Sequence, residues 1–486
     1  MVPQVEATYA AIDLGASSAR TFTGRLCDGA VELRERRRTP NRPVRLPDGL
    51  HWDVLHLFAE ALGSLQAAGP LQGVGVDGWG VDYGLLDGRN RLLGLPYHYR
   101  DERTAGMVER AHARVAGEQA YAATGIQTMP INTVFQLLAD EGSAALAAAE
   151  HLAMIPDLFA LWLSGELANE RTNASTTGLL DARSGGWSDD LIGALGLPRR
   201  VFGLLVDPGT ALGPARPAHG IGRVPVFAVA SHDTASAFVA APLRDQHAAI
   251  LSSGTWSLLG VEQAAPSLDG PARDADLTNE RGVDGTTRLL KNVMGLWLEQ
   301  ECAREWGADH VDLFRAAAEA QPLTPLFDPD DETLLAPGDM PARIAAACER
   351  LGQAPPVGRG QTMRSILVSL ACKYRFVVEV LEAAAGCDLR RIHVVGGGAS
   401  VDALCRLTAD IGGREVLAGP VEATALGNVL VQARAAGELG SLADMRAVAA
   451  ASSVCRTFEP SPLRDEHEAT YASFLEITGL RRAAHA

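Results

Sequence analysis

What the chain lacks excludes several roles. No run approaches the ~20 apolar residues of a membrane span. Met1–Thr8 has no basic stretch leading into an apolar one, so a secretory leader is not expected. The seven cysteines, Cys27, Cys302, Cys348, Cys372, Cys387, Cys405 and Cys455, form no CxxC and no His/Cys metal spacing. Their odd number, without a leader, argues for reduced thiols and no disulfide. Positive charge is also short. Lys and Arg number 43 against 59 Asp and Glu, a net charge of −16. A chain this acidic is a poor general binder of nucleic acid or anionic membrane. A soluble cytoplasmic protein is expected, one that draws any phosphate with local groups.

What is present suits a globular enzyme. The 486 residues are 47% apolar and 21% charged. At roughly 100–200 residues per domain, that length allows two to four domains. Tyr9–Asp13 reads as a short apolar strand, Gly15-Ala16-Ser17-Ser18 as a turn of small residues, and Arg20–Leu26 as a second strand. A Rossmann loop or a P-loop would open a helix after the turn, so neither applies. Ala248–Leu251, Ser252-Ser253-Gly254-Thr255 and Trp256–Val261 repeat the plan later in the chain and suggest two similar halves.

Three more strands end in polar or glycine groups. Val74–Val76 runs into Asp77-Gly78-Trp79-Gly80, and Val226–Ala230 into Ser231-His232-Asp233-Thr234. Ile392–Val395 runs into Gly396-Gly397-Gly398. Ligands of open α/β sheets lie at the carboxyl ends of strands. The arginines of 34–45 read as a solvated hairpin or loop before a phosphate patch. Pro322–Pro341 reads as loop, and 105–120, 137–150 and 364–385 as amphipathic helices.

Each segment has a chemical and a plain reading. The turn after Asp13 can bring backbone N–H groups and hydroxyls to an anion. Asp13 can hold Mg²⁺, directly or through water, and Arg20 can neutralise a phosphate. The same residues also make an ordinary hairpin turn. Asp233, at a strand-to-helix turn, can accept a hydroxyl proton during phosphoryl transfer, or simply cap a helix. Ser252–Thr255 repeats the logic of the first turn. Gly396–Gly398 lets a ligand approach the backbone at a helix start, or makes a tight connection. Asp77–Tyr83 combines two carboxylates, glycines and an aromatic plate. That suits a sugar, or a Trp in the core.

At these residues the chain resembles the FGGY family of carbohydrate kinases. The matching stretches include AIDLGASSAR, GWGVDYGLLD, YRDERT, TGIQTMPINTVFQL, PDLFALWLSGE, TNASTTGLLD, AVASHDTASA, LSSGTWSLLG, TNERG, LKNVMGLWLEQ, HVVGGGAS and AGPVEATALGN, in that order along nearly the whole chain. The resemblance implies an α/β actin-like ATPase (ribonuclease H-like) fold. Two similar domains, 1–242 and 243–486, would surround a deep cleft. It implies Mg²⁺-dependent transfer of the ATP γ-phosphate to O1 of L-rhamnulose. Carried over residue by residue, Ala16, Ser17, Ser18, Ala19 and Arg20 line the ATP phosphates and Asp13 serves the metal. Thr255, Gln300 and Gly397 contact ATP. Gly80, His232, Thr234 and Asn292 touch the sugar, and Asp233 is the general base. Partners are then the ketose and ATP, for a monomer or homodimer. Two positions depart from the pattern. Gly78 stands where Thr is expected, which removes a side chain beside the sugar pocket. Ala19 stands where Gly is usual, which is tolerable at negative φ.

Three other roles fit parts of this pattern. One is a sibling kinase for L-fuculose or L-xylulose. The others are an actin-like nucleotide switch without a sugar site, and a homologue that senses sugar without turnover.

Overall fold

A computed structural model describes residues 7–482 except 244, 246, 322 and 323. The chain forms two compact units. The first comprises Met1–Pro242, Glu262–Leu289 and Ala423–Ser453; the second comprises Leu243–Val261, Leu290–Glu422 and Val454–Ala486. Neither unit is a continuous stretch of the chain. Two later segments return to the first unit, and the second of them, Ala423–Ser453, packs on its sheet.

The sheet of the first unit uses β1 (Ala7–Leu14), β2 (Ser18–Cys27), β3 (Ala30–Pro40), β4 (Gly73–Gly78), β5 (Thr210–Pro214) and β6 (Pro225–Ala228). Its order is β5-β6-β4-β1-β2-β3. β1 is central and buried along its length, which is why it reads as a continuous apolar run. It pairs antiparallel with β2 and parallel with β4, and β4 pairs parallel with β6. Three parallel strand ends therefore lie side by side.

The helix Ala423–Ala435 packs on this sheet through two glycines of β4. A Cβ at Gly75 would lie 2.5 Å from Asn428 Oδ1, and one at Gly73 would lie 2.8 Å from Gln432 Oε1. Gln432 Nε2 donates to Ala10 O of β1 at 2.9 Å. The same helix crosses the helix Asp233–Ala240 so closely that a Cβ at Gly427 would lie 1.9 Å from Ser236 O. Small residues bring these helix backbones together.

The second unit repeats the hairpin. β7 (Ala248–Ser253) and β8 (Trp256–Gln263) pair antiparallel, and β9 is Thr287–Met294. β10 (Arg391–Val395) and β11 (Glu415–Ala418) continue the sheet parallel to β7, and β12 (Arg456–Phe458) closes it antiparallel. The order β9-β8-β7-β10 matches β3-β2-β1-β4 of the first sheet. The long helix Gly358–Ala385 packs against helices His310–Glu319 and Asp402–Gly412.

Several expectations meet a finer structure. Residues 105–120 form two helices, Met107–His112 and Gly117–Thr124, and 137–150 falls across Thr133–Ala139 and Ala144–Ala148. In the second case Gly142, at φ 84°, breaks the run before the Ser143 cap. The arginine-rich segment is mostly the edge strand β3, where Arg36 and Arg38 bond to Thr23 and Glu35. All seven cysteines are free. Among the described residues, no helix is long and apolar enough to cross a membrane.

Candidate active site

The ends of β1, β4 and β6 bring carboxylates together in the first unit. Asp13 is the register partner of Asp77, and Gly78 bridges in parallel to His232. Gly78 N donates to Ser231 O at 2.9 Å. Asp13, Asp77 and Asp233 thus stand at neighbouring strand ends. Burial pushes the Asp77 carboxyl well above its usual range, and the charges of Asp13 and Asp233 push it further. Asn428 donates to Asp77 Oδ2 from the helix behind.

Asp13 is buried and ion-paired to Arg20, its register partner on β2. The turn between them is tight. Gly15 N donates to Ser18 O at 3.1 Å, and Asn41 Nδ2 to Gly15 O at 2.9 Å. A Cβ at Gly15 would meet Ser18 O at 2.8 Å, so only glycine fits. Ser17 is exposed, with Ala16 and Ser18 half-buried. Ala19 is absent from the positive-φ residues and sits within β2. Its departure from glycine therefore carries no strain.

Asp233 opens the helix Asp233–Ala240, and His232 is the N-cap. The capping alternative for Asp233 is thereby set aside. Its Oδ1 accepts from Thr234 N at 2.5 Å and Thr234 Oγ1 at 3.1 Å. Its Oδ2 accepts no hydrogen bond from any described residue, and a third of the side chain (32%) is exposed. Burial of its surroundings raises the carboxyl, against His232 and the Thr234 donors. A carboxylate fixed by one oxygen and open at the other has the form of a general base.

The strand end below it is held from one side. Glu170 accepts from Ser231 N and Oγ, each at 2.9 Å, and from Thr172 N at 2.8 Å. His232 Nδ1 lies 3.1 Å from Glu280 Oε2, and its Nε2 lies 3.5 Å from Asp233 Oδ1.

On the sugar side, the structure decides between two readings of Trp79 and corrects one expectation about Gly78. Trp79 is not an open plate. It is buried, its ring centroid 4.2 Å from that of Trp52. Both indoles donate to Asp82 Oδ2, at 3.0 and 2.5 Å, while Gln136 Nε2 donates to Oδ1 at 2.8 Å. Burial still pushes Asp82 up to about 7. Nor does Gly78 leave a side chain missing beside a pocket. A Cβ there would lie 2.8 Å from Leu14 Cβ and 3.0 Å from Leu14 O, against the neighbouring strand. Gly80 packs on Thr176, whose Oγ1 accepts from Val81 N at 2.9 Å. Val81 has φ 66°, a strained value for a β-branched residue. Thr133 Oγ1 and Gln136 Nε2 hold it through its carbonyl.

In the second unit, Thr255 Oγ1 donates to Gln300 Oε1 at 3.1 Å. Leu296 N and Trp297 N donate to Gly254 O and Thr255 O, each at 3.0 Å, fixing the turn to the start of the helix Trp297–Trp306. The three glycines after β10 differ in role. A Cβ at Gly396 would lie 2.9 Å from Ser253 O, and one at Gly398 would lie 2.0 Å from Ser253 Oγ. These two let the loop pack on β7. Gly397 meets nothing within 4 Å, so it is the one open to a ligand. Asn292 is half-buried on β9.

Asp13 and Asp77 also fit a divalent cation. Asp77 Oδ1 is buried without a hydrogen-bond partner, beside a second carboxylate. Among the described residues no group of three or more His, Cys, Asp or Glu could enclose a metal. Mg²⁺ is usually bound by one or two carboxylates plus substrate phosphates, and needs no such cage.

Repeated hairpins, each followed by parallel strands with acidic or glycine ends, define an actin-like ATPase of two domains. The N-terminal domain of the FGGY family of carbohydrate kinases matches residues 8–240, and its C-terminal domain residues 249–436. The chain belongs to the FGGY family of carbohydrate kinases. It is 39% identical over 466 residues to a rhamnulokinase of Bacteroides thetaiotaomicron, covering 94% of this chain and 96% of that one. It is 42% identical over 445 residues to a rhamnulokinase of Pectobacterium atrosepticum, covering 90% of each. The crystal structure of gluconate kinase from Lactobacillus acidophilus superposes with a TM-score of 0.78 at 15% identity, over 97% of each chain.

Some supporting residues are not evident from sequence patterns alone. Glu170, Glu280, Arg288 and Asn428 lie far along the chain from the aspartates and histidine they support.

Proposed function

We propose that this kinase transfers the γ-phosphoryl group of ATP to O1 of L-rhamnulose, giving L-rhamnulose 1-phosphate and ADP. The observation that carries the chemistry is Asp233, with Oδ1 fixed by Thr234 and Oδ2 uncommitted. The names of the relatives support the choice of ketose.

The sugar is assigned to Gly80, His232, Asp233, Thr234 and Asn292. Asp233 accepts the O1 proton as the O1–P bond forms and the bond from Pγ to the β-phosphate oxygen breaks. ADP leaves with that oxygen. Thr234 keeps the carboxylate aimed, and His232 steadies its charge. Ala16, Ser17, Ser18, Ala19 and Arg20 are assigned to the phosphates. Thr255, Gln300 and Gly397 are assigned to the remainder of ATP. Mg²⁺ on Asp13, beside Asp77, would supply charge neutralisation at the phosphates. A cytoplasmic setting, with the enzyme as monomer or homodimer, belongs to the same proposal.

Asp233→Asn tests the base. Its kcat is expected to fall about 10²-fold or more, with ATP binding by calorimetry unchanged. Near-wild-type turnover would sink the assignment.

A further inference from the structure

The stretch Thr278-Asn279-Glu280-Arg281-Gly282 belongs to the first compact unit and has no role in the reaction above. Its neighbours rivet it in place. Asn279 N and Nδ2 donate to Gly125 O at 2.8 and 3.1 Å. Arg281 N donates to Ser175 Oγ at 2.9 Å, and its Nη2 to Ala182 O at 2.8 Å. Between these anchors lies Glu280, buried, with Oε2 3.1 Å from both His232 Nδ1 and Arg288 Nη2. Arg288 is fully buried. Its Nε donates to Arg281 O at 3.0 Å, and its Nη2 lies 3.2 Å from His232 Nδ1.

Two buried charges converge on one edge of one imidazole. Glu280 Oε2 makes no well-formed hydrogen bond despite its two close neighbours. A buried carboxylate is costly unless an opposite charge faces it, and Arg288 supplies that charge. Either Arg288 donates to a bare Nδ1, or Glu280 accepts from Nδ1–H of a protonated ring. Both leave a hydrogen on Nε2, the atom 3.5 Å from Asp233. A neutral ring with its hydrogen on Nδ1 alone would turn a bare lone pair toward that carboxylate.

We propose that Glu280 and Arg288 are positioning residues that clamp the Nδ1 edge of His232, so that Nε2–H faces Asp233 and a hydroxyl of the sugar. The proposal rests on the kinase reading above for its kinetic consequences. The clamp itself is read without turnover. Partners behind a ligating or catalytic histidine fix its tautomer and ring orientation, and their loss costs about 10–100-fold at metal sites.

The experiment compares the wild type, Glu280→Gln and the double variant Glu280→Gln/Arg288→Met as full-length proteins. ¹⁵N-histidine spectra, with His232 identified through His232→Asn, report the ring. The wild type is expected to carry hydrogen on Nε2, and Glu280→Gln to shift the His232 nitrogen signals. Coinciding His232 signals, or a bare Nε2 in the wild type, would overturn the clamp. In kinetics, kcat/KM for the ketose is expected to fall about tenfold or more, with KM for ATP held within about twofold. The double variant leaves neither buried charge unpaired. It is expected to regain thermal stability without regaining ketose kcat/KM. Recovery of both together would reduce the pair to packing and defeat the proposal. Absence of ketose turnover in the wild type would defeat the kinase reading instead, with the spectra still deciding the clamp.

Discussion

Asp13 and Arg20 face each other across the β1–β2 hairpin as register partners. The buried carboxylate is thus already neutralised by a side chain that is 21% exposed. Replacing Asp13 by Ala leaves Asp77 as the remaining carboxylate of the pair. The Mg²⁺ concentration for half-maximal rate is expected to rise about tenfold or more, read by titrating Mg²⁺ at fixed ATP. An unchanged Mg²⁺ dependence would remove Asp13 from the metal role. At this scale the sequence indicated where acidic residues follow directly on an apolar strand, as at Asp13 and Asp233. It left Trp79 and Asp82 undecided. Their composition suits a sugar, but burial decides their role, and burial depends on Trp52 and Gln136. Glu280 and Arg288 were invisible as a clamp because their target, His232, is distant along the chain.

The elements are held by glycines of opposite kinds. Gly427 lets the helices Ala423–Ala435 and Asp233–Ala240 touch at Ser236 O. A methyl group there would push away the helix that begins with Asp233. Gly427→Ala is expected to cost roughly 1–3 kcal/mol or more, read by denaturant unfolding. Gly412, in the last turn of the helix Asp402–Gly412, meets nothing within 4 Å. Gly412→Ala is expected to be neutral or to stabilise by up to about 1 kcal/mol. Equal costs at the two sites would contradict this packing account. The hairpins and parallel strands were legible as strand–turn–strand and strand–turn–helix patterns. The paired short helices of 107–124 and 133–148 were not. Their Ala-rich composition runs on across the breaks, and in 133–148 the positive-φ Gly142 sets the boundary.

Over the whole molecule, the two related sheets were legible from their repeated hairpins. The distribution of the chain between the compact units was harder to read. Ala423–Ser453 joins the first unit because Asn428 and Gln432 fit over glycines of β4, a match between residues at opposite ends of the sequence. We propose that the whole assembly spends ATP only when a ketose supplies a hydroxyl to Asp233. The most direct measurement is steady-state ADP release from Mg·ATP with L-rhamnulose, L-fuculose, L-xylulose or no sugar. The highest kcat/KM is expected with L-rhamnulose, and almost no release without sugar. Equal release without sugar, or a higher kcat/KM with another ketose, would contradict it.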